Sequence, residues 1–319
     1  MNPSTLTVLI PCLNEELGIA EVVREYSRAF PYAEILVVDN GSEDSTADAA
    51  REAGALVLKE RRRGKARAVA TALEQIDTDL VLMVDGDGSY PAAGARLLLD
   101  QFQREPADMI SGIRSAQDDV FRPLHQWGMS VFASVLNLVF GFKPLDLFSG
   151  LRLLSGRFYQ HVPVLSRGFE LEIELTIQAI DKGFSLAEVP VPFCSRTGGS
   201  RSKLRTVHDG LRILRLLAVL FRDYRPFAFF GTLGGLLAFA GLTAGSLPIA
   251  EFFRTGQVGR FPLAILAASL VSLAILLALI GTVLQANLRY HREAYHIQLR
   301  KFRAPSRREQ RSFARVLAS

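Results

Sequence analysis

Only two cysteines occur in 319 residues, Cys12 and Cys194, too few and too far apart in sequence for a disulfide framework, so they read as free thiols of a reducing compartment. The five histidines show no metal-ligand spacing, and neither a P-loop nor a G-x-G-x-x-G fingerprint is present. These absences remove histidine–cysteine zinc sites, P-loop nucleotide hydrolysis and Rossmann dinucleotide chemistry from consideration. A net charge of +5 comes without any nucleic-acid-binding motif, so the basic balance does not point to nucleic acid. No internal repeat or low-complexity tract is visible. The first apolar run, Leu6 to Ile10, is too short for the core of a secretory leader and reads as a strand.

Three apolar β-type runs are present, Leu6 to Ile10, Ile35 to Val38 and Leu80 to Val84. Each closes in a polar cluster: PCLNEE (Pro11 to Glu16), DNGSEDST (Asp39 to Thr46) and DGDGSYP (Asp85 to Pro91). Helix-compatible stretches follow them, Leu17 to Phe30, Ser45 to Ala53 and Ala92 to Phe102. This alternation predicts βαβ units, hence an α/β fold with a mainly parallel sheet, and puts the three clusters on one rim, where open α/β sheets bind ligands. Residues i and i+2 of an extended chain share a face, so Asp85 and Asp87 can approach one oxygen-preferring cation, Mg²⁺ or Mn²⁺, bridging nucleotide phosphates. A solvated turn is the competing reading of the same residues. Ser42 and Ser45 fit helix N-caps, a role that leaves Asp39 unexplained.

Taken in order, VLIPCLNEE, VVDNGSEDST, the basic glycine segment RRRGKARAVATAL (Arg61 to Leu73) and VDGDGSYP resemble the inverting family-2 glycosyltransferases, with their GT-A, Rossmann-like fold. The resemblance implies that Pro11, Asn14, Glu15 and Asp39 line a nucleotide pocket, that Lys65 lies near the base or phosphates, and that Asp85 and Asp87 form the metal-binding D-x-D pair. Many members have a second aspartate where this chain has Asn40, which keeps an acceptor oxygen and loses the charge. Four further segments, ADMISGIR (Ala107 to Arg114), DLFSGLR (Asp146 to Arg152), GFELEIE (Gly168 to Glu174) and EVPVPFCSRTGGSRSK (Glu188 to Lys203), resemble the polyprenyl-phosphate (dolichyl- or undecaprenyl-phosphate) hexosyltransferase branch. The similarity spans roughly Leu6 to Leu220. It implies transfer of mannose or glucose from a GDP- or UDP-hexose to polyprenyl phosphate, with inversion.

A lipid phosphate is already anionic near neutral pH, so this chemistry needs placed cations more than a strong base. Arg114, Arg196 and Lys203 are the candidates to hold the acceptor phosphate or the leaving diphosphate. Arg114 also reads as a surface arginine, and Arg196 to Lys203 as a flexible basic loop near anionic lipid. Asp146 reads either as orienting a nearby basic residue or as part of the acceptor site. Glu174, four residues after Glu170, reads either as touching the sugar or acceptor or as favourable charge at a helix start. His125 and Gln126 lie where related enzymes often place an arginine, with Arg122 a substitute. Two rivals remain: a GT-A transferase acting on another lipid or a polysaccharide, and a catalytically silent membrane scaffold. Polysaccharide synthases carry a Gln-x-x-Arg-Trp motif that this chain lacks.

Beyond this the chain changes character. Arg205, Asp209, Arg212, Arg215 and Arg222 recur at steps of three, four and seven among leucines, which predicts an amphipathic helix lying in the bilayer interface or packed on the catalytic domain. Phe227 to Leu247 is apolar and uncharged and would span about 31 Å as a helix, the thickness of a hydrocarbon core. Pro262 to Ala286 is also long enough. A transmembrane hairpin follows, flanked by Arg222 and Arg225 before it and by Arg289, Arg292, Arg300, Lys301, Arg303, Arg307, Arg308 and Arg311 after it. The positive-inside rule then places the catalytic domain and both termini in the cytosol. The expected organisation is a catalytic domain over 1–204, an interfacial helix over 205–225, two membrane helices within 226–287 and a basic tail over 288–319. The oligomeric state is not legible.

Overall fold

The computed structural model describes residues 5–114, 137, 145–166, 171–194, 218–219 and 221–301. The chain divides into two compact units, Met1–Trp127 with Phe140–Lys203, and Gly128–Val139 with Leu204–Ser319.

In the first unit seven strands form one sheet in the order β3-β2-β1-β4-β6-β5-β7. They are β1 (Leu6–Cys12), β2 (Glu34–Asp39), β3 (Leu56–Lys59), β4 (Leu80–Met83), β5 (Met109–Arg114), β6 (Arg152–Ser155) and β7 (Leu186–Val191). Helices α1 (Ile19–Ala29), α2 (Thr46–Glu52) and α3 (Lys65–Leu73) are the crossovers between β1, β2, β3 and β4. Next come α4 (Ala92–Arg104), the single turn α5 (Gly156–Tyr159) and α6 (Leu171–Asp181). The sheet is mainly parallel: β1 pairs so with β2 and β4, β2 with β3, and β5 with β7. Among the described strands β6 alone runs antiparallel, to both β4 and β5.

The apolar runs become central strands because both of their faces are covered. On one face Val8, Ile10, Val37 and Leu82 join a core cluster with Ile19, Val22, Val23 and Tyr26 of α1 and Ala95 and Leu98 of α4, and the alternate residues Leu9, Val38, Val81 and Met83 are buried as well. A strand enclosed on both faces reads as continuous rather than alternating hydrophobicity. β3 gives no such signal: it is four residues long, and none of its side chains is fully buried.

The reversed direction of β6 matters for function. Its first residue, Arg152, lies beside Met83 at the end of β4 and Ser111 in β5. The loop leading into β6 therefore meets the carboxyl ends of β4, β5 and β7 at the rim where β1 and β2 also end.

The second unit contains α7 (Pro226–Thr255) and α8 (Phe261–Lys301). Proline stands in the first turn of α7, where its missing N–H costs no helical bond, and Gly256, at φ 67°, closes the helix in the left-handed region. Both helices outrun the apolar stretches seen in the sequence. α7 continues through Pro248, and α8 carries its regular backbone into the basic segment as far as Lys301. Small residues at seven-residue spacing form the seam. A Cβ on Gly234 would stand 3.0 Å from the carbonyl oxygen of Ala274, and one on Gly241 would stand 3.0 Å from that of Ala267. Leu236, Phe239, Leu242, Leu279 and Val283 face outwards. Both helices are long and apolar enough to cross a membrane, with mean hydropathy 1.7 and 2.9, and only 11% of each apolar window is buried within the protein. That exposure separates them from the core helices of a water-soluble domain. Of the expected interfacial helix, 218–219 and 221–224 are helical, Arg225 is a bend that precedes α7, and 205–217 and 220 lie outside the described residues.

Candidate active site

Asp85 lies two residues beyond the end of β4, after Val84, and its carboxylate is confined on two sides. The Lys65 ammonium, from the first turn of α3, binds Asp85 Oδ1. Gly150, in the loop before β6, lies so close that a Cβ there would fall inside the carboxylate. The same ammonium stands 2.5 Å from Oε1 of Glu172, in the first turn of α6. Burial alone would depress the Lys65 pKa, but the charges of Asp85 and Glu172 outweigh it and hold the group above the ordinary lysine value. Lys65, expected near a nucleotide's base or phosphates, is thus seen joining two carboxylates.

The chain turns at Gly86 and Asp87, and Ser89 N–H donates to Asp87 Oδ1 at 3.0 Å. Asp85 and Asp87 would share a face only on extended backbone, and the backbone here turns instead. Gly86 is required for another reason: a Cβ there would overlap Cys12 Sγ. Burial, with Glu15 and Asp85 nearby, pushes the Cys12 thiol pKa well up, so the thiol stays protonated.

The donor chemistry fits a hard divalent cation. Two carboxylates stand at one strand end, and a positive charge, the Lys65 ammonium, already sits on Asp85. Among the described residues no group of three or more His, Cys, Asp or Glu side chains converges. Asp85 and Asp87 would therefore form part of a shell completed by phosphate oxygens and water, the usual habit of Mg²⁺ at phosphate sites.

A second cluster lies along the same rim. Arg114, the last residue of β5, grips Asp146 in a fork, Nε to Oδ2 at 2.7 Å and Nη2 to Oδ1 at 2.9 Å. Its guanidinium also stacks 5.5 Å from the centre of the Phe193 ring. Asp146 thus orients a basic residue. Its loop is clamped by Arg152, which is fully buried and donates to the carbonyls of Ser149 and Leu147 at 3.2 and 3.1 Å and to Thr176 Oγ1 at 2.8 Å. Tyr90 completes the clamp, its hydroxyl accepting from Gly150 N–H at 3.0 Å.

The first two sequence clusters are laced together. Asn14, at φ 56°, accepts from Glu43 N–H and donates its own N–H to Ser42 Oγ, while Glu15 N–H donates to Thr46 Oγ1. Pro11 lies within β1 opposite Val38, and Asp39 accepts from Ser42 N–H at 3.0 Å. Ser42 therefore serves Asn14 rather than a helix. Ser45 occupies the α2 N-cap without a side-chain bond. Asn40 has a structural reason to be an amide: its NH₂ donates to the carbonyls of Glu60 and Arg62, and its oxygen accepts from Gly64 N–H. An aspartate could not make the first two bonds.

Glu174 accepts from Leu165 and Ser166 N–H at 2.8 Å each and from Gln178, so it braces the loop before α6. The carboxylate that reaches the charged cluster is Glu172. The sequence reading passed it over because α6 is buried nearly all round, which leaves no periodicity to show direction; the signal was a charge inside the apolar run LEIELTI. Glu170, Arg122, His125, Gln126, Arg196 and Lys203 lie outside the described residues.

The model of the family described as Glycosyl transferase family 2 matches residues 7–158. Glycosyltransferase AglJ of Haloferax volcanii is 29% identical over 294 residues, 91% of this chain and 96% of the relative. The Dolichyl-phosphate hexose transferase of the same organism is 30% identical over 198 residues, 61% of this chain and 86% of the relative. Among solved structures, glucosyl-3-phosphoglycerate synthase from Mycobacterium tuberculosis, in complex with Mn²⁺ and UDP-glucose, matches with a TM-score of 0.55 at 23% identity, over 69% of this chain and 78% of that one. At that identity the likeness is one of fold.

Proposed function

The chain belongs to glycosyl transferase family 2, and from that membership we propose that it moves a hexose, glucose or mannose, from a UDP- or GDP-sugar to a polyprenyl phosphate, with inversion at the anomeric carbon. The observation that carries the reading is the Arg114–Asp146 fork on the same rim as Asp85 and Lys65. It sets an oriented guanidinium, suited to phosphate, beside a carboxylate site suited to a nucleotide's cation. The apolar helices α7 and α8 supply the reason for a lipid acceptor.

In this reading Pro11, Asn14, Glu15 and Asp39 form the nucleotide side of the site. Asp85 and Asp87 would hold Mg²⁺ or Mn²⁺, which when bound would supply positive charge against that developing on the nucleoside diphosphate leaving group. Lys65 adds a positive charge beside that diphosphate. Arg114, kept in orientation by Asp146, holds the acceptor phosphate, with Arg196 and Lys203 as further cations for phosphate. The attacking oxygen is already anionic, so no side chain has to take a proton from it. α7 and α8 anchor the enzyme, and the basic residues that flank them, Arg222 and Arg225 before and Arg289 and Arg292 after, support a cytosolic catalytic domain and cytosolic termini by the positive-inside rule.

The test is transfer by the full chain in detergent, with UDP- and GDP-glucose and -mannose, a short polyprenyl phosphate and Mg²⁺ or Mn²⁺. A glycosyl-phosphoryl lipid should form, vanish with EDTA, and fall at least a hundredfold with Asp87→Ala at unchanged melting temperature. Glycosylation of a hydroxyl acceptor in place of the lipid phosphate would replace the acceptor assignment. Undiminished turnover by the Asp87→Ala chain would remove the metal assignment.

A further inference from the structure

Glu172 has no part in the transfer as set out above, yet it is the most enclosed carboxylate of the charged cluster. Its side chain is 6% exposed, against 31% for Asp85, and the two share one ammonium. A buried carboxylate stripped of its partner is strongly disfavoured, whereas one that reaches solvent can exchange its partner for another cation. Of the two, Asp85 is the one able to release Lys65. Gly150 closes one side of the Asp85 carboxylate, so the freedom to turn away from the lysine lies on its solvent-exposed side. The backbone that carries Glu172 is itself tied down: its carbonyl accepts from Thr176 Oγ1 at 2.9 Å, and Thr176 Oγ1 accepts in turn from the buried Arg152.

Resting on the reading of Asp85 as a metal-binding residue, we propose that Glu172 is a positioning residue that keeps Lys65 anchored while Asp85 turns to an incoming divalent cation, and so sets how strongly the lysine competes with that cation. With Glu172→Gln, only one of the two carboxylates on the ammonium remains charged. Lys65 then holds Asp85 more exclusively, and the divalent cation binds less well. Removing the lysine as well takes the competitor away. The two substitutions should therefore be non-additive, with the second restoring what the first weakened. Damage to packing alone would add to the loss.

The measurement is Mn²⁺ binding to the full chain in detergent at saturating UDP or GDP, by calorimetry or by the electron paramagnetic resonance of free Mn²⁺, with no turnover required. Glu172→Gln is expected to weaken Mn²⁺ binding about tenfold, and Lys65→Met combined with Glu172→Gln to recover most of that loss. Lys65→Met alone should bind Mn²⁺ at least as tightly as the unsubstituted chain, which keeps the proposal testable if Glu172→Gln does not fold. Equal affinity in Glu172→Gln and the unsubstituted chain, a double variant as weak as the single one, or a weakened Lys65→Met would each overturn it. Failure of the underlying reading looks different: the unsubstituted chain itself would bind no Mn²⁺ with either nucleotide.

Discussion

In the catalytic unit the large apolar residues Val8, Ile10, Val37 and Leu82 lie inside, and the charged residues gather at the sheet's rim. In the helical pair the order is inverted, with Gly234, Gly241, Ala267 and Ala274 inside and Leu236, Phe239 and Leu242 outside. The contrast tells which solvent shaped each part. Water drives large apolar side chains together in the first. In the second an apolar exterior carries no penalty only if the surroundings are apolar too, and backbone-to-backbone closeness holds the helices.

Replacing interior residues should expose this difference most sharply. Leu82→Ala, at a fully buried position of β4, is expected to cost about 2–5 kcal/mol in chemical denaturation; a loss below about 0.5 kcal/mol would mean that the sheet is not the core described. Gly150→Ala should lower turnover about a hundredfold, some 2.7 kcal/mol of barrier, because the new methyl displaces the Asp85 carboxylate. In the helical pair Gly241→Leu should cost about 1–3 kcal/mol by forcing the seam apart. Leu242→Ala, one residue away on the outer face, should stay within about 0.5 kcal/mol in detergent. Equal losses from these two would erase the distinction between seam and exterior. The smallest effect belongs to the thiols: Cys194, exposed, should react with an alkylating reagent in the folded chain, and buried Cys12 only on unfolding.

The parts of the fold that could be read from sequence were those where one physical signal dominates. β1, β2 and β4 announce themselves as apolar runs closed by polar clusters, and the two long helices by uninterrupted hydrophobicity. β3 escaped because a short, half-exposed strand has no such run. The direction of β6 escaped because periodicity carries no information on strand polarity. Two site details were hidden for related reasons. The turn at Gly86 and Asp87 depends on the close approach of Cys12, some seventy residues earlier, and the partnership of Glu172 with Lys65 joins residues 107 apart in the chain. The departure at Asn40, seen only as a lost charge in the sequence, is a gain of two donated hydrogen bonds in the structure.

The loop from Leu145 to Leu151 carries Asp146, which aims Arg114, and four residues later Gly150, which backs Asp85. The two halves of the site thus share one short piece of backbone, and neither can be redesigned alone. Exchanging this loop between relatives to alter what accepts the sugar would also transplant the support of Asp85, the residue proposed to meet a nucleotide's cation. Specificity for the two substrates is expected to travel as a single cassette.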